Sequence, residues 1–138
     1  MSIVVDASVA LRWYVQASDS EAAIALLAGD EPLVAPDLVV AEVTNAAWKL
    51  VRAGAIGGEH GARIAAAVPT AFSALIGAAR LSARAFALAH ELDHPVYDCL
   101  YLALAELEDA RMITADQRLL TRLRGSAWQE LARPLVPA

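Results

Sequence analysis

Cysteine is nearly absent from this chain. Of 138 residues only Cys99 carries a thiol, so no intramolecular disulfide can form and a cysteine-based metal site is excluded. Lying among apolar residues, Cys99 reads as a small buried hydrophobe. Positive charge is also short: 11 Lys and Arg stand against 16 Asp and Glu, a formal net charge of −5. Taken alone, that balance argues against a nucleic-acid partner. Long apolar runs are missing too, despite 58% hydrophobic residues and a mean hydropathy of +0.46. The longest uncharged stretch, Ile64 to Ala79, is interrupted by Pro69, Thr70, Ser73 and Gly77. A spanning helix needs about 20 mostly apolar residues, so no membrane span is expected. The N-terminus enters an apolar run with neither a basic n-region nor a cleavage site, and the expectation is a cytoplasmic protein. No repeat, linker or low-complexity tail is seen. The length fits one compact domain over residues 1–138.

Short apolar runs alternating with helical patterns fill that length. Ile3-Val4-Val5 reads as a buried strand ending at Asp6, with Ser8 placed to cap a segment from Val9 to Val15. Ser20 and Glu21 open a helix that stops near Gly29. Leu33-Val34-Ala35 reads as a second strand. Pro36-Asp37 then starts a long helix running to about Arg52 and closed by Gly54. An Ala-rich segment spans His60 to Val68, and Thr70 to Gly77 is ambiguous between strand and helix. The spacing predicts helices over Ser82 to Leu92 and from Pro95 to about Glu108. Met112-Ile113-Thr114 reads as a buried strand, Asp116 to Leu123 as a short helix, and Ala127 to Leu131 as a last edge strand. The pattern predicts an α/β fold with a mainly parallel central sheet flanked by helices.

Four carboxylates sit inside or beside these apolar runs. Asp6 ends Ile3-Val4-Val5, and Glu42 lies within Leu38-Val39-Val40-Ala41-Glu42-Val43. Asp98 precedes Cys99-Leu100-Tyr101-Leu102-Ala103-Leu104, and Asp116 follows Met112-Ile113-Thr114-Ala115. A buried lone carboxylate is costly unless its charge is compensated. Four such acids point to one shared partner, and a hard divalent cation suits an all-oxygen set. That is the chemistry of metal-assisted phosphodiester cleavage. Each acid also has a plain structural reading: Asp6 or Asp98 as a helix cap, Glu42 as an ion-pair partner, Asp116 as a turn residue. Those readings do not account for all four together. Setting the four aside leaves a nearly neutral chain, with Arg111, Arg118, Arg122 and Arg124 close to Asp116 in sequence and able to hold phosphates. Leu38, Glu42, Asn45 and Lys49 share one helix stripe, which sets Asn45 one turn below Glu42 to orient its carboxylate. His60, His90 and His94 show no ligand spacing. Trp13 and Trp48 lie in amphipathic segments and are expected in core or interface packing rather than stacked on bases.

The same residues carry a resemblance. Val4-Val5-Asp6-Ala7-Ser8, Pro36-Asp37-Leu38-Val39-Val40-Ala41-Glu42-Val43-Thr44-Asn45-Ala46, Tyr97-Asp98-Cys99-Leu100-Tyr101-Leu102-Ala103-Leu104-Ala105 and Thr114-Ala115-Asp116-Gln117-Arg118-Leu119 resemble, in order, the four motifs of PIN domains, and the length resembles toxins of the VapC type. The resemblance implies a Mg²⁺- or Mn²⁺-dependent endoribonuclease that cleaves RNA phosphodiester bonds by metal-activated water. It further implies the toxin of a toxin–antitoxin pair, with a cognate antitoxin as partner and a homodimer as assembly. Carried over, Asp6, Glu42, Asp98 and Asp116 are the catalytic and metal-binding acids, and Ser8, Thr114 and Asn45 are the supporting polar positions. Arg118 and Arg122 are candidates for substrate binding. A housekeeping RNA-processing PIN nuclease and a non-catalytic PIN scaffold that binds RNA or protein are the alternatives left open.

Overall fold

The computed structural model describes residues 1–136. Its elements follow in the order β1 (Ile3–Val5), α1 (Ala7–Leu11), α2 (Ser20–Ala28), β2 (Leu33–Pro36), α3 (Leu38–Arg52), α4 (Gly58–Ala67), β3 (Ala74–Ile76), α5 (Ala78–Leu92), α6 (Val96–Leu107), β4 (Arg111–Thr114), α7 (Gln117–Leu123) and β5 (Ala132–Pro134). Single 3₁₀ turns cover Val68–Thr70 and Gln129–Leu131.

The five strands form one sheet in the order β3-β2-β1-β4-β5, and every pairing is parallel. The expected α/β architecture is therefore present. Strands with both faces covered need continuous apolar character, and β1 and β2 supply it: Val4, Val5, Leu33, Val34 and Ala35 are all buried. Helix α6 packs against β1, β2 and β4. Its residues Cys99 to Ala105 are buried without a break, because sheet and α5 cover it from opposite sides. From β1 the chain builds outward through β2 and β3, then returns to the other side of β1 with β4 and β5. Strand order reverses between β1 and β4, and a crevice opens beyond the carboxyl ends of strands at such a point. Asp6 and Asp116 flank it.

Two expectations are corrected and one open reading is resolved. Ser8 does not cap the first helix: Asp6 does, accepting from the Val9 N–H, and the helix ends at Leu11. The ambiguous stretch before Gly77 yields an edge strand at Ala74–Ile76. The last strand is Ala132–Pro134, not Ala127 to Leu131, because Trp128 and Leu131 pack against the core from a 3₁₀ turn instead of a ladder.

Candidate active site

Asp6 follows the last residue of β1 and is 5% exposed. Its carboxylate accepts from Ser8 Oγ at 2.5 Å, from the Val9 N–H at 3.2 Å and from Thr114 Oγ1 at the end of β4. The Thr114 hydroxyl in turn accepts from the Asp116 N–H at 3.0 Å, and Ser8 Oγ accepts from the Ala115 N–H at 3.1 Å. The two strand ends on either side of the crevice are thus tied together through hydroxyls. Thr114 is fully buried, and its hydroxyl can donate to one neighbour while accepting from another. Ser8 and Thr114 thus both donate to the Asp6 carboxylate.

Glu42 comes from the middle of α3 and is half-buried. Its Oε1 accepts from the Tyr101 hydroxyl of α6 at 2.5 Å. Asp98 lies in the first turn of α6, where the helix dipole favours its charge. Its Oδ2 is 2.6 Å from His94 Nε2. Asn45 is exposed and makes no hydrogen bond to Glu42 among the described residues; the partner is Tyr101. His94 and Tyr101 both escaped the sequence reading. Asp98 and Tyr101, three residues apart in α6, lie along one helix stripe, and this was the signal available for Tyr101; His94 lies before the helix, where no helical spacing points to it.

Charge couples three of the four acids. Burial raises the affinity of Asp6 for its proton, its hydrogen bonds oppose that, and the Asp98 charge adds to it. Glu42 is raised too, first by burial, with Tyr101 opposing and both Asp98 and Asp6 adding. Tyr101 is pushed far above its usual value by burial and then by Glu42, so it stays a neutral donor. Cys99 is pushed up to about 11 by burial and by Asp98, which leaves its thiol inert. Asp116 stands apart. It caps α7 by accepting from the Arg118 and Leu119 N–H groups at 2.9 and 3.4 Å. Its backbone, through Thr114, is what joins it to Asp6.

The expectation of four buried acids holds only for Asp6; Glu42, Asp98 and Asp116 are partly exposed. Among the described residues no three His, Cys, Asp or Glu side chains are drawn together at coordination spacing. The donor set nevertheless suits a hard cation. It consists of carboxylate oxygens whose mutual repulsion a positive charge would relieve, and Mg²⁺ commonly retains several waters and takes only one or two carboxylates directly.

A groove of about 680 Å³ runs between the α5–α6 corner and α7, lined by Asp93, Gln117, Arg118, Arg122 and Arg124 and by His94, the partner of Asp98. Arg118 is exposed there. Arg122 donates to the Asp93 carbonyl at 2.9 Å and lies 3.3 Å from its carboxylate. Arg111 is not near Asp116: it begins β4, at the opposite end of the strand. Trp13 is packed, donating to the Ala23 carbonyl and tilted against Phe72. Trp48 is 54% exposed and lies under Arg52 rather than in the core.

The fold presents an α/β domain with one buried acid, Asp6, and three partly exposed ones, Glu42, Asp98 and Asp116, and comparison with known proteins gives the family. The PIN domain family matches residues 3–125, and the chain belongs to it. Ribonuclease VapC3 of Pyrobaculum aerophilum is 34% identical over 121 residues, which cover 86% of this chain and 92% of that protein. Two solved structures share the fold. A toxin–antitoxin complex from Klebsiella pneumoniae matches at a TM-score of 0.71 with 19% identity, covering 99% of this chain and 100% of that one. PAE2754 from Pyrobaculum aerophilum matches at 0.68 with 24% identity, covering 91% and 81%.

Proposed function

We propose that this protein is a divalent-cation-dependent endoribonuclease and the toxin of a toxin–antitoxin pair. The observation that carries the reading is the Asp6 carboxylate held across the ends of β1 and β4 by Ser8 and Thr114, with Glu42 of α3 and Asp98 of α6 near enough that Asp98 raises the proton affinity of Asp6 and both raise that of Glu42. The similarity to a VapC ribonuclease over most of both chains supports the substrate class. With residues 1–138 taken as one nuclease unit, Asp6, Glu42 and Asp98 would hold Mg²⁺ or Mn²⁺, with Asp116 beside them. Such a cation supplies positive charge that lowers the pKa of water and offsets charge on a reacting phosphate. Ser8 and Thr114 fix the Asp6 carboxylate, and Tyr101 fixes that of Glu42. Asn45, exposed on the Glu42 stripe, lies on the open side, where it would meet substrate rather than its neighbour. Arg118 would bind an RNA phosphate along the groove, while Arg122 holds the corner at Asp93 and contributes charge.

In this reading the fourth acid, Asp116, acts first through its backbone and its cap. The toxin reading brings a cognate antitoxin as the partner, in keeping with the toxin–antitoxin complex that shares the fold, and a homodimer as the assembly. No helix among the described residues is long and apolar enough to cross a membrane.

The test is cleavage of total RNA by the purified, antitoxin-free protein in Mg²⁺ or Mn²⁺, with end-labelling of the products. Cleavage that stops in EDTA and leaves 5′-phosphates and 3′-hydroxyls is expected. Products ending in 2′,3′-cyclic phosphates would overturn the mechanism, since they require the RNA's own 2′-hydroxyl as nucleophile.

A further inference from the structure

Asp98 has a dedicated partner that the family motifs do not account for. His94 precedes α6, and its side chain is only 11% exposed, against 28% for Asp98. The corner that carries it is tightly specified. Asp93 ends α5 in the left-handed region at φ 50, a conformation uncommon outside glycine, asparagine and aspartate. Pro95 follows with a restricted φ and serves as the N-cap of α6. The His94 N–H donates to the Ala89 carbonyl at 3.1 Å. From outside, Arg122 of α7 grips both the carbonyl and the carboxylate of Asp93. The ring therefore has little freedom, and its Nε2 meets Asp98 Oδ2 at 2.6 Å. An ionised carboxylate only accepts, so Nε2 carries the proton in this contact.

We infer that His94 is a positioning residue for the nuclease site: its Nε2–H holds Asp98 Oδ2, which turns the second oxygen, Oδ1, toward Glu42 and Asp6 for the cation. The inference rests on the divalent-cation reading above. Residues that hold a metal-ligating carboxylate from behind commonly change metal affinity by 10- to 100-fold when removed. An ion pair of merely structural value would change stability and leave cation affinity alone.

The experiment is calorimetric titration of Mn²⁺ into the full-length wild type, His94→Phe and His94→Gln, with thermal melting of each without metal. Phe keeps a ring but has no donor; the Gln amide nitrogen reaches about as far as Nε2. His94→Phe should bind Mn²⁺ at least about tenfold more weakly, and His94→Gln should recover most of the loss. If His94→Phe does not fold, His94→Gln is compared with His94→Asn, whose amide stops short of Oδ2. Gln should then bind as wild type does and Asn more weakly. Wild-type affinity in His94→Phe, or in both amide variants, would overturn the inference while leaving the nuclease reading intact. Absence of Mn²⁺ binding by the wild type would remove the reading itself.

Discussion

Asp6 has its carboxylate held by Ser8, Thr114 and the Val9 N–H, and yet burial and Asp98 keep its proton bound more tightly than usual. Glu42 behaves alike. For a carboxyl whose folded pKa is raised, the native state binds more protons than the unfolded chain. Its stabilising contribution is present below the ordinary values of 3.8 and 4.5 and is lost as pH rises through the raised ones. Metal-free protein should therefore lose part of its stability as pH rises above the ordinary carboxyl range. Glu42→Gln keeps an acceptor for Tyr101 and removes the charge. Melting in EDTA should show that variant at least as stable as wild type at pH 7, with a flatter pH dependence. A lower melting temperature at neutral pH would contradict the repulsion argument. Tyr101→Phe removes the donor alone. It should cost about 1 kcal/mol in denaturant unfolding and slow cleavage, because Glu42 loses the bond that aims it; full activity would make the contact incidental.

Helix α6 does the most for the site, since one stripe of it carries Asp98 and Tyr101 while Cys99 to Ala105 are buried in packing against the sheet and α5. Helix α4 serves α3 more remotely. Gly61 faces α3, and a Cβ there would stand 2.7 Å from Val51 Cγ2. Gly61→Ala should push the two helices apart and cost about 1–3 kcal/mol in chemical denaturation, whereas an unchanged midpoint would show that Val51 simply turns aside. In α7, Arg118→Ala should weaken RNA binding across sequences and flatten the salt dependence by about 0.7 in log–log slope, the value for one phosphate contact on a single strand. An unchanged slope would remove Arg118 from the RNA path. The helices that set these residues were legible because apolar spacing and capping punctuate them clearly, as Pro36-Asp37 and Gly54 do for α3. The edge strands were not. Residues 74–76 and 132–134 are strands of only three residues, and neither shows an alternating burial pattern that could mark it.

Across the whole molecule, the acids were readable because each interrupts an apolar run at a strand end or on a helix facing the crevice. Their polar partners were less so. Tyr101 and Glu42 are 59 residues apart, and only the packing of α6 across β1 and β2 brings them together. A reading along the chain saw Tyr101 as one more buried residue, and Asn45, the nearer polar group, stood in for it. Thr114 was found because it belongs to a motif, not because its bond to Asp6 across 108 residues could be read. In the proposed function the net −5 divides in two, the acids being assigned to a cation while Arg118, Arg122 and Arg124 line the groove beside α7.

The central claim is that Asp6, Glu42 and Asp98 form one cation site. Calorimetric titration of Mn²⁺ into wild type, Glu42→Gln, Asp98→Asn and the double variant tests it most directly. One saturable site is expected in wild type, with a marked loss in either single variant and a double variant scarcely worse than each, since ligands acting as a unit are not additive. Wild-type affinity in both single variants, or losses that simply add, would contradict it.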